Sequence, residues 1–117
     1  MLPNRMQLNR QTEDQLKKLK AYTGLTPNVA ARIAFFRSVE SDFRYSPERD
    51  IKKLDGSLVL DKITWLGDTA QATELVLQML YSNLDSQSYT KAWAAHVEDG
   101  ISSLRNQKSL QSFSVSL

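Results

Sequence analysis

Side chains that commonly carry out chemistry in proteins are scarce in this chain of 117 residues. There is no cysteine, and the one histidine, His96, lies among Ala94, Ala95 and Val97. The sequence therefore excludes disulfides and thiolate nucleophiles, and a zinc site would lack the cysteines or the second histidine that it normally uses. We expect His96 to be a partly buried or surface residue rather than a metal ligand or a general base.

Acidic residues and glycines are equally poor candidates for a catalytic site. Glu13 is adjacent in sequence to Asp14, and Glu98 to Asp99, and adjacent residues on a helix do not face each other. The four glycines are scattered at positions 24, 56, 67 and 100, so there is no glycine-rich phosphate loop. We predict that the protein is not an enzyme and uses no cofactor and no metal.

Positive charge is the main functional signal, and it is concentrated in the first half of the chain. The net charge is only +2, but residues 1–53 contain eleven basic and six acidic residues, whereas residues 54–117 contain four basic and seven acidic ones. Such an asymmetry predicts a basic surface for a polyanion in the first half and a packing or partner role for the second.

Three lysines form the densest part of this basic region. Lys17, Lys18 and Lys20 surround Leu16 and Leu19, so an apolar seam and a cationic face share one short helix. For any single lysine, a solvated helix surface is the ordinary interpretation. The cluster lies just before a turn, however, and the helix after that turn begins with free backbone N–H groups that can bind a phosphate.

The turn is defined by Gly24, which favours the left-handed conformation that ends a helix, and by Thr26 and Pro27, which suit a helix start. Side chains near the turn can add to a phosphate-binding surface. The candidate DNA contacts are Arg10 from the N-terminal arm, Lys17, Lys18, Lys20, Asn28 and Arg32. Because contacts to the phosphate backbone carry no sequence information, we predict non-specific DNA binding.

Apolar periodicity predicts two helices in the first half of the chain. The first begins after Thr12, which would cap it, and runs to about Tyr22. The second runs from Pro27 to about Asp42. Its predicted inward residues are Val29, Ile33, Phe36 and Phe43.

Two further helices are predicted in the second half. Asp68 would cap a helix with a wide apolar face, which favours a position in the centre of the domain or against another subunit. That face comprises Leu75, Val76, Met79, Leu80 and Leu84. Asp85 or Ser86 would cap the last helix, whose apolar positions are Tyr89, Trp93, Val97, Ile101 and Leu104.

These patterns predict one mainly α domain over residues 1–117, built from about four helices. Alternation around Met6 and Leu8 indicates a short strand, which would make the N-terminal half similar to a ribbon-helix-helix unit. We divide the chain into a basic helix-turn-helix half (1–45), an irregular connector with at most a short strand pair (46–67), a helical hairpin that forms the core or an oligomer surface (68–106) and a loose tail (107–117). With no apolar run of the ~20 residues that span a bilayer, we expect a cytoplasmic protein.

The segment KKLKAYTGLTPNVAARIAFFRSVE, preceded by LNRQTEDQL, resembles the N-terminal signature of the DndE family, the small component of the bacterial DNA phosphorothioation system. The chain length and the two later helix patterns also fit that family. The resemblance implies a role in replacing a non-bridging phosphate oxygen with sulfur, alongside a cysteine desulfurase, a sulfurtransferase-like enzyme and an ATPase. It also implies a homotetramer.

A chain without cysteine cannot carry a persulfide, so this protein would contribute DNA binding or contacts to the other subunits. Because the chemistry occurs at the phosphodiester, we hypothesise a preference for nicked duplex. Two other functions fit the same sequence. One is an adaptor whose basic half docks onto an acidic protein, and the other is a ribbon-helix-helix transcriptional regulator or antitoxin that binds one operator.

Overall fold

The computed structural model describes residues 2–49, 53–57 and 59–104. Two short strands, β1 (Arg5–Met6) and β2 (Leu60–Asp61), accompany five helices: α1 (Arg10–Thr23), α2 (Pro27–Val39), α3 (Lys62–Leu66), α4 (Ala70–Leu80) and α5 (Ser86–Leu104). The structure confirms a mainly α fold with four substantial helices. The predicted loose tail, residues 107–117, lies outside the described residues.

Helix α5 provides the largest part of the core. Its predicted apolar positions are all buried: Tyr89, Trp93, Val97, Ile101 and Leu104. The predicted cap at Asp85 is confirmed, because its carboxylate accepts a hydrogen bond of 2.7 Å from the backbone N–H of Ser88. That hydrogen bond is the main cause of the lowered pKa of Asp85.

The inward face of α2 was predicted only in part, since Ile33 and Phe36 pack against the core without being fully buried. Its buried residues are Ala30, Ala31, Ala34, Phe35 and Ser38, whereas the predicted residues Val29, Ile33 and Phe36 are half-buried. The reason is the close approach of α2 to α5, which selects small side chains at the contact. Helix α2 also ends at Val39 rather than near Asp42, so Phe43 lies in the following loop, with its ring 5.0 Å from that of His96.

Strand β1 pairs with β2 in the same chain. The pairing is antiparallel, with Arg5 opposite Asp61 and Met6 opposite Leu60. The order strand, helix, helix predicted for the N-terminal half is therefore present, with one edge of β1 paired to β2 of the connector. The strand pair predicted within the connector differs from the observed one: among its described residues the connector contains one strand, β2, whose partner is β1, and α3 follows β2 directly.

Two helix starts differ from the predictions. Helix α1 begins at Arg10 and is capped by Asn9, whose side-chain oxygen accepts a hydrogen bond of 2.7 Å from the backbone N–H of Thr12. Thr12 itself is buried inside the helix. Helix α4 begins at Ala70, so Asp68 lies in the single 3-10 turn Gly67–Thr69 and does not cap α4.

His96 is fully buried, rather than partly buried or on the surface, and it belongs to a hydrogen-bonded chain that joins α2, α5 and the residue that follows α4. Ser38 Oγ donates to Asp99 at 2.8 Å, so it must accept the 2.8 Å bond from Nδ1–H of His96. In the neutral ring, Nε2 then accepts from the Tyr81 hydroxyl at 2.7 Å. The Tyr81 oxygen in turn accepts from the backbone N–H of Tyr45 at 2.7 Å.

Helix α4 contributes less to the core than its apolar sequence suggests. Leu77 and Thr73 are its buried residues. Met79 is 76% exposed and Leu75 58% exposed, and Ile63 on the neighbouring α3 is 73% exposed. Among the described helices, none has the length and hydropathy needed to cross a membrane.

Candidate nucleic-acid interface

The lysines of α1 lie on the side of the helix that faces away from the core. Leu16 and Leu19 are buried, while Lys17, Lys18 and Lys20 are exposed. Residues on a helix are spaced by about 100°, so Lys17 lies between the other two, about 60° from Lys20 and about 100° from Lys18, and Lys18 and Lys20 mark the two edges of the exposed face. The three ammonium groups therefore cover a broad solvent-facing surface, which we call the α1 cationic face.

Lys17 is the one member of this face that is paired with an acid. Its ammonium lies 3.3 Å from Oε1 of Glu13, one turn earlier. The Glu13 carboxylate is buried and also accepts a hydrogen bond of 2.7 Å from the Ser57 hydroxyl. Lys18 and Lys20 form no ion pair with any residue that the structure describes.

Gly56, in the connector, leaves the space that the buried Glu13 carboxylate occupies. A methyl group added at Gly56 would lie 2.3 Å from Oε2 of Glu13 and 2.7 Å from the backbone oxygen of Leu8. The Gly56 N–H donates to that same Leu8 oxygen at 2.8 Å. The connector is thus held against the first turn of α1, which fixes the orientation of the helix that presents the lysines.

The predicted turn between α1 and α2 is confirmed. Gly24 has a φ of 78°, and its N–H donates to the Lys20 backbone oxygen at 2.8 Å, which ends α1. Thr26 occupies the N-cap position of α2 and Pro27 is its first residue, although the Thr26 hydroxyl makes no capping hydrogen bond. The lysines and the start of α2 therefore flank a short turn.

Asn28 and Arg32 are directed toward α3. The Asn28 side chain donates to the backbone oxygen of Thr64 at 3.1 Å. The Arg32 guanidinium donates to the oxygens of Trp65, at 2.9 Å, and Thr64, at 3.3 Å. Both side chains thus bind the carbonyl groups at the end of α3, and their polar atoms are at least partly used within the protein.

We expected Arg10 to approach the turn from an N-terminal arm, and the structure places it elsewhere. It is the first residue of α1, exposed, and its backbone N–H donates to Oδ1 of Asp55 at 2.9 Å. Eight residues separate Arg10 from Lys18, which is about 12 Å along a helix. The structure therefore brings the three lysines together and places Arg10 at the far end of the same helix.

Two further features were not predicted. One is the His96 chain of hydrogen bonds, since nothing in the sequence around His96 indicates its partners Ser38 and Tyr81, which are distant in sequence. The other is a groove lined partly by the acidic residues Glu98 and Asp99 of α5. Within the described residues, no group of three or more histidine or acidic side chains is placed to hold a metal ion.

The fold and the surface define a small, mainly helical protein that presents lysines on one exposed helix. A family model described as "DNA sulphur modification protein DndE" matches residues 5–112. The chain belongs to the DndE family.

Solved structures agree with this membership. The chain is similar to DndE from Escherichia coli B7A, "involved in DNA phosphorothioation modification", with 79% identity and a TM-score of 0.88 over 89% of this chain and 98% of that one. It is also similar to a DndE mutant with two glycine-to-lysine changes, "involved in DNA phosphorothioation", with 77% identity and a TM-score of 0.85 over 89% and 99% of the two chains. No curated protein matches the chain.

Proposed function

We propose that this protein serves in DNA phosphorothioation as a subunit that binds the DNA backbone without sequence specificity, and that it is not itself the enzyme. The observation that carries the proposal is the α1 cationic face, where Lys18 and Lys20 are exposed and unpaired among the described residues. Membership of the DndE family supports the biological context. Because the partner is DNA, the protein would act in the cytoplasm.

The geometry of α1 favours phosphate binding over base reading. Lysine is a flexible cation that contacts phosphates without bidentate recognition of a base. Arg10 and Lys18, about 12 Å apart along the helix, would meet different phosphates of a duplex. Lys17 would contribute less to phosphate binding because its ammonium is paired with the Glu13 carboxylate. Asn28 and Arg32 would add to the surface only where their contacts with α3 leave a polar atom free.

A preference for nicked duplex is part of the proposal. A DNA backbone that bends can bring more of its phosphates within reach of the exposed ammonium groups on one helix. A nick lowers the free-energy cost of bending the duplex because one strand is no longer continuous. Comparable affinity for intact and nicked duplexes would reject the preference for nicked DNA and leave the proposed backbone binding unchanged.

Self-association is also part of the proposal, with a tetramer as the expected form. Leu75 and Met79 on α4 and Ile63 on α3 are large, apolar and exposed, which is typical of a protein-protein contact. Symmetric assembly would cover these side chains and multiply the cationic faces available to one duplex.

The alternative functions are less well supported. In a ribbon-helix-helix regulator, strand β1 would pair with a second chain, whereas here β1 pairs with β2 of its own chain. A pure adaptor would use the same basic face to bind an acidic protein, and it would show no affinity for DNA.

Fluorescence anisotropy of a labelled duplex, intact or nicked, titrated with protein across a salt series, tests the proposal. The logarithm of the association constant should fall against the logarithm of the salt concentration, with a slope of about −0.9 for each phosphate neutralised. The double variant Lys18→Ala, Lys20→Ala should flatten that slope. The variant Lys53→Ala, which removes an exposed lysine outside α1, should not. No binding at low salt would reject the proposal in favour of the adaptor.

A further inference from the structure

Tyr22, in the last turn of α1, carries an aromatic ring on the protein surface. The residue is 61% exposed, and neither its ring nor its hydroxyl contacts a partner group among the residues that the structure describes. The other three tyrosines are held within the protein. Tyr45 and Tyr89 are buried, and the Tyr81 hydroxyl donates to His96 at 2.7 Å. Contacts within the described part of the protein therefore give no reason for an aromatic side chain at position 22.

Tyr22 lies beside Lys18 on the surface of α1. The two residues are four apart in sequence, which places them about 40° apart around the helix and about 6 Å apart along it. Side chains on a helix lean toward its N-terminus, so the Tyr22 ring extends toward the turn that carries Lys18. Lys18 is exposed and forms no ion pair with any residue that the structure describes. An aromatic face and an available ammonium group therefore share one side of α1.

This pair of side chains matches the two parts of a nucleotide. An ammonium group attracts the phosphate, and an aromatic ring stacks on the flat face of the base. The phosphate and the base are joined through one sugar, so they lie close enough together to meet two side chains that are one helical turn apart. Stacking tolerates any sequence, because every base has such a face. The pair can therefore add a base contact while DNA binding stays non-specific.

An intact duplex does not offer the face of a base to a protein side chain. Each base is paired and lies between its neighbours in the stack, and removing it costs free energy for unstacking and unpairing. At a nick, the terminal base is held by its own strand on one side only. Its exposure therefore costs less than that of a base within a continuous strand, and a stacked tyrosine would favour the nicked form.

The surroundings of Tyr22 favour DNA over a protein as the partner of this ring. Protein contact surfaces are commonly contiguous apolar patches. The other large apolar side chains that are exposed belong to the connector, α3 and α4: Val59, Ile63, Leu75 and Met79. On α1, the exposed neighbours of Tyr22 include Lys18 and Lys20, whereas the nearest acidic residue on the helix, Asp14, is about 12 Å away along it. A single ring beside lysines suits a polyanion that carries flat bases.

We propose that Tyr22 stacks on a base exposed at a break in one strand of DNA, while Lys18 binds a phosphate of the same strand. This role rests on the proposed function, because it adds a base contact to a protein that binds the DNA backbone. It also assigns the preference for nicked duplex to a particular side chain. Easier bending of nicked DNA would be a separate contribution, which does not depend on the ring.

The test is fluorescence anisotropy with the full-length protein and three labelled DNAs: an intact duplex, a nicked duplex, and a nicked duplex with an abasic residue on each side of the nick. Tyr22→Ala removes the ring, Tyr22→Leu keeps an apolar side chain without a flat face, and Tyr22→Phe keeps the ring. Gln11→Ala, an exposed change on the same helix, is the matched control, and Lys18→Ala reports on phosphate binding. Circular dichroism and thermal melting confirm that each variant is folded.

We expect Tyr22→Ala and Tyr22→Leu to weaken binding to the nicked duplex by about tenfold and to leave binding to the intact duplex unchanged. Tyr22→Phe and Gln11→Ala should bind both duplexes as the wild type does. Lys18→Ala should weaken binding to both and flatten the salt dependence, whereas Tyr22→Ala removes no charge and should keep the slope.

The abasic DNA distinguishes stacking from a structural role of Tyr22. Removal of the bases beside the nick should weaken binding of the wild-type protein by a factor similar to that of Tyr22→Ala. It should have little further effect on Tyr22→Ala, because the two changes remove the same contact.

Stacking is overturned if Tyr22→Ala weakens binding to intact and nicked duplexes by the same factor, or if Tyr22→Leu binds nicked DNA as the wild type does. It is also overturned if the abasic residues affect Tyr22→Ala as strongly as the wild type. When Lys18→Ala weakens DNA binding and Tyr22→Ala does not, the stacking role alone is rejected, and the ring remains available to a protein partner. A wild-type protein that binds none of the DNAs at low salt would reject the proposed function and the stacking role together.

Discussion

Gly100 of α5 lies directly against the backbone of Ala34 in α2. A methyl group added at Gly100 would be centred 2.0 Å from the Ala34 carbonyl oxygen and 2.7 Å from its Cα. No side chain fits in this space, so the glycine sets the distance between the two helices that form the centre of the core. The helices can approach this closely because small side chains line the contact.

Gly100→Ala should therefore separate α2 from α5 and lower the free energy of unfolding by about 1–3 kcal/mol or more. The measurement is equilibrium urea denaturation followed by circular dichroism. Ser102→Ala, an exposed change on the same helix, is the control and should stay within about 0.5 kcal/mol of the wild type. Equal stability of the two variants would show that the helices are not in contact at Gly100.

Arg32→Lys tests whether Arg32 acts within the protein or on DNA. Lysine keeps the charge but loses the planar group that donates to two carbonyl oxygens, so we expect a loss of about 1 kcal/mol in stability. DNA affinity should be unchanged. If instead Arg32→Lys is as stable as the wild type, and Arg32→Ala weakens DNA binding as strongly as Lys18→Ala does, the guanidinium faces the DNA.

Tyr81→Phe should destabilise the fold, because it removes the hydroxyl that joins the Tyr45 N–H to Nε2 of His96. Two buried polar groups would lose a partner, at a cost of about 1–3 kcal/mol in the free energy of unfolding. Tyr22→Phe, which removes a hydroxyl from an exposed tyrosine, serves as the control. Similar melting temperatures for both variants would contradict the hydrogen-bonded chain.

The cap of α5 should make stability depend on pH. Because the Ser88 N–H stabilises the ionised Asp85, the pKa of this carboxyl is lowered in the folded protein. The contribution of the ionised Asp85 carboxylate to the free energy of unfolding is present above the unfolded-state pKa of about 3.9. It is lost as the pH falls through the lower, folded-state pKa. Carbon-13 NMR titration of the Asp85 carboxyl should show the lowered pKa directly. In Ser88→Pro, which lacks the donor, that pKa should rise toward the ordinary value.

Met79→Glu should weaken self-association, because it places a charge on the exposed apolar side of α4. Multi-angle light scattering should give a multiple of 13.3 kDa for the wild-type protein and a shift toward 13.3 kDa for the variant. Gln87→Glu, which adds the same charge to an exposed position of α5, should keep the wild-type mass. A wild-type mass of 13.3 kDa would reject self-association through this side of α4.

Local sequence signals were sufficient for several elements. The Gly24 turn, the start of α2 at Pro27 and the five-residue apolar face of α5 were all predicted correctly, because each depends on residues within one or two turns of a helix. The lysines of α1 were likewise predicted to be exposed, since Leu16 and Leu19 define the buried side. Whether those lysines bind DNA stays a prediction.

Other features depend on contacts between distant segments, and the sequence could not predict them. The inward face of α2 follows from the approach of Gly100, and the orientation of Arg32 follows from the carbonyl groups at the end of α3. The buried state of His96 needs Ser38 and Tyr81, and the groove beside Glu98 and Asp99 is lined also by Phe43 and Leu54.

The sequence by itself therefore determined a mainly helical protein with a lysine-bearing first helix, because helix periodicity and capping are local properties of the chain. The tertiary structure decided which of the described side chains on α1 form ion pairs and which contacts Asn28 and Arg32 make within the protein. Those properties depend on distances between elements, and no local pattern specifies how closely two helices pack or which carbonyl group an arginine reaches.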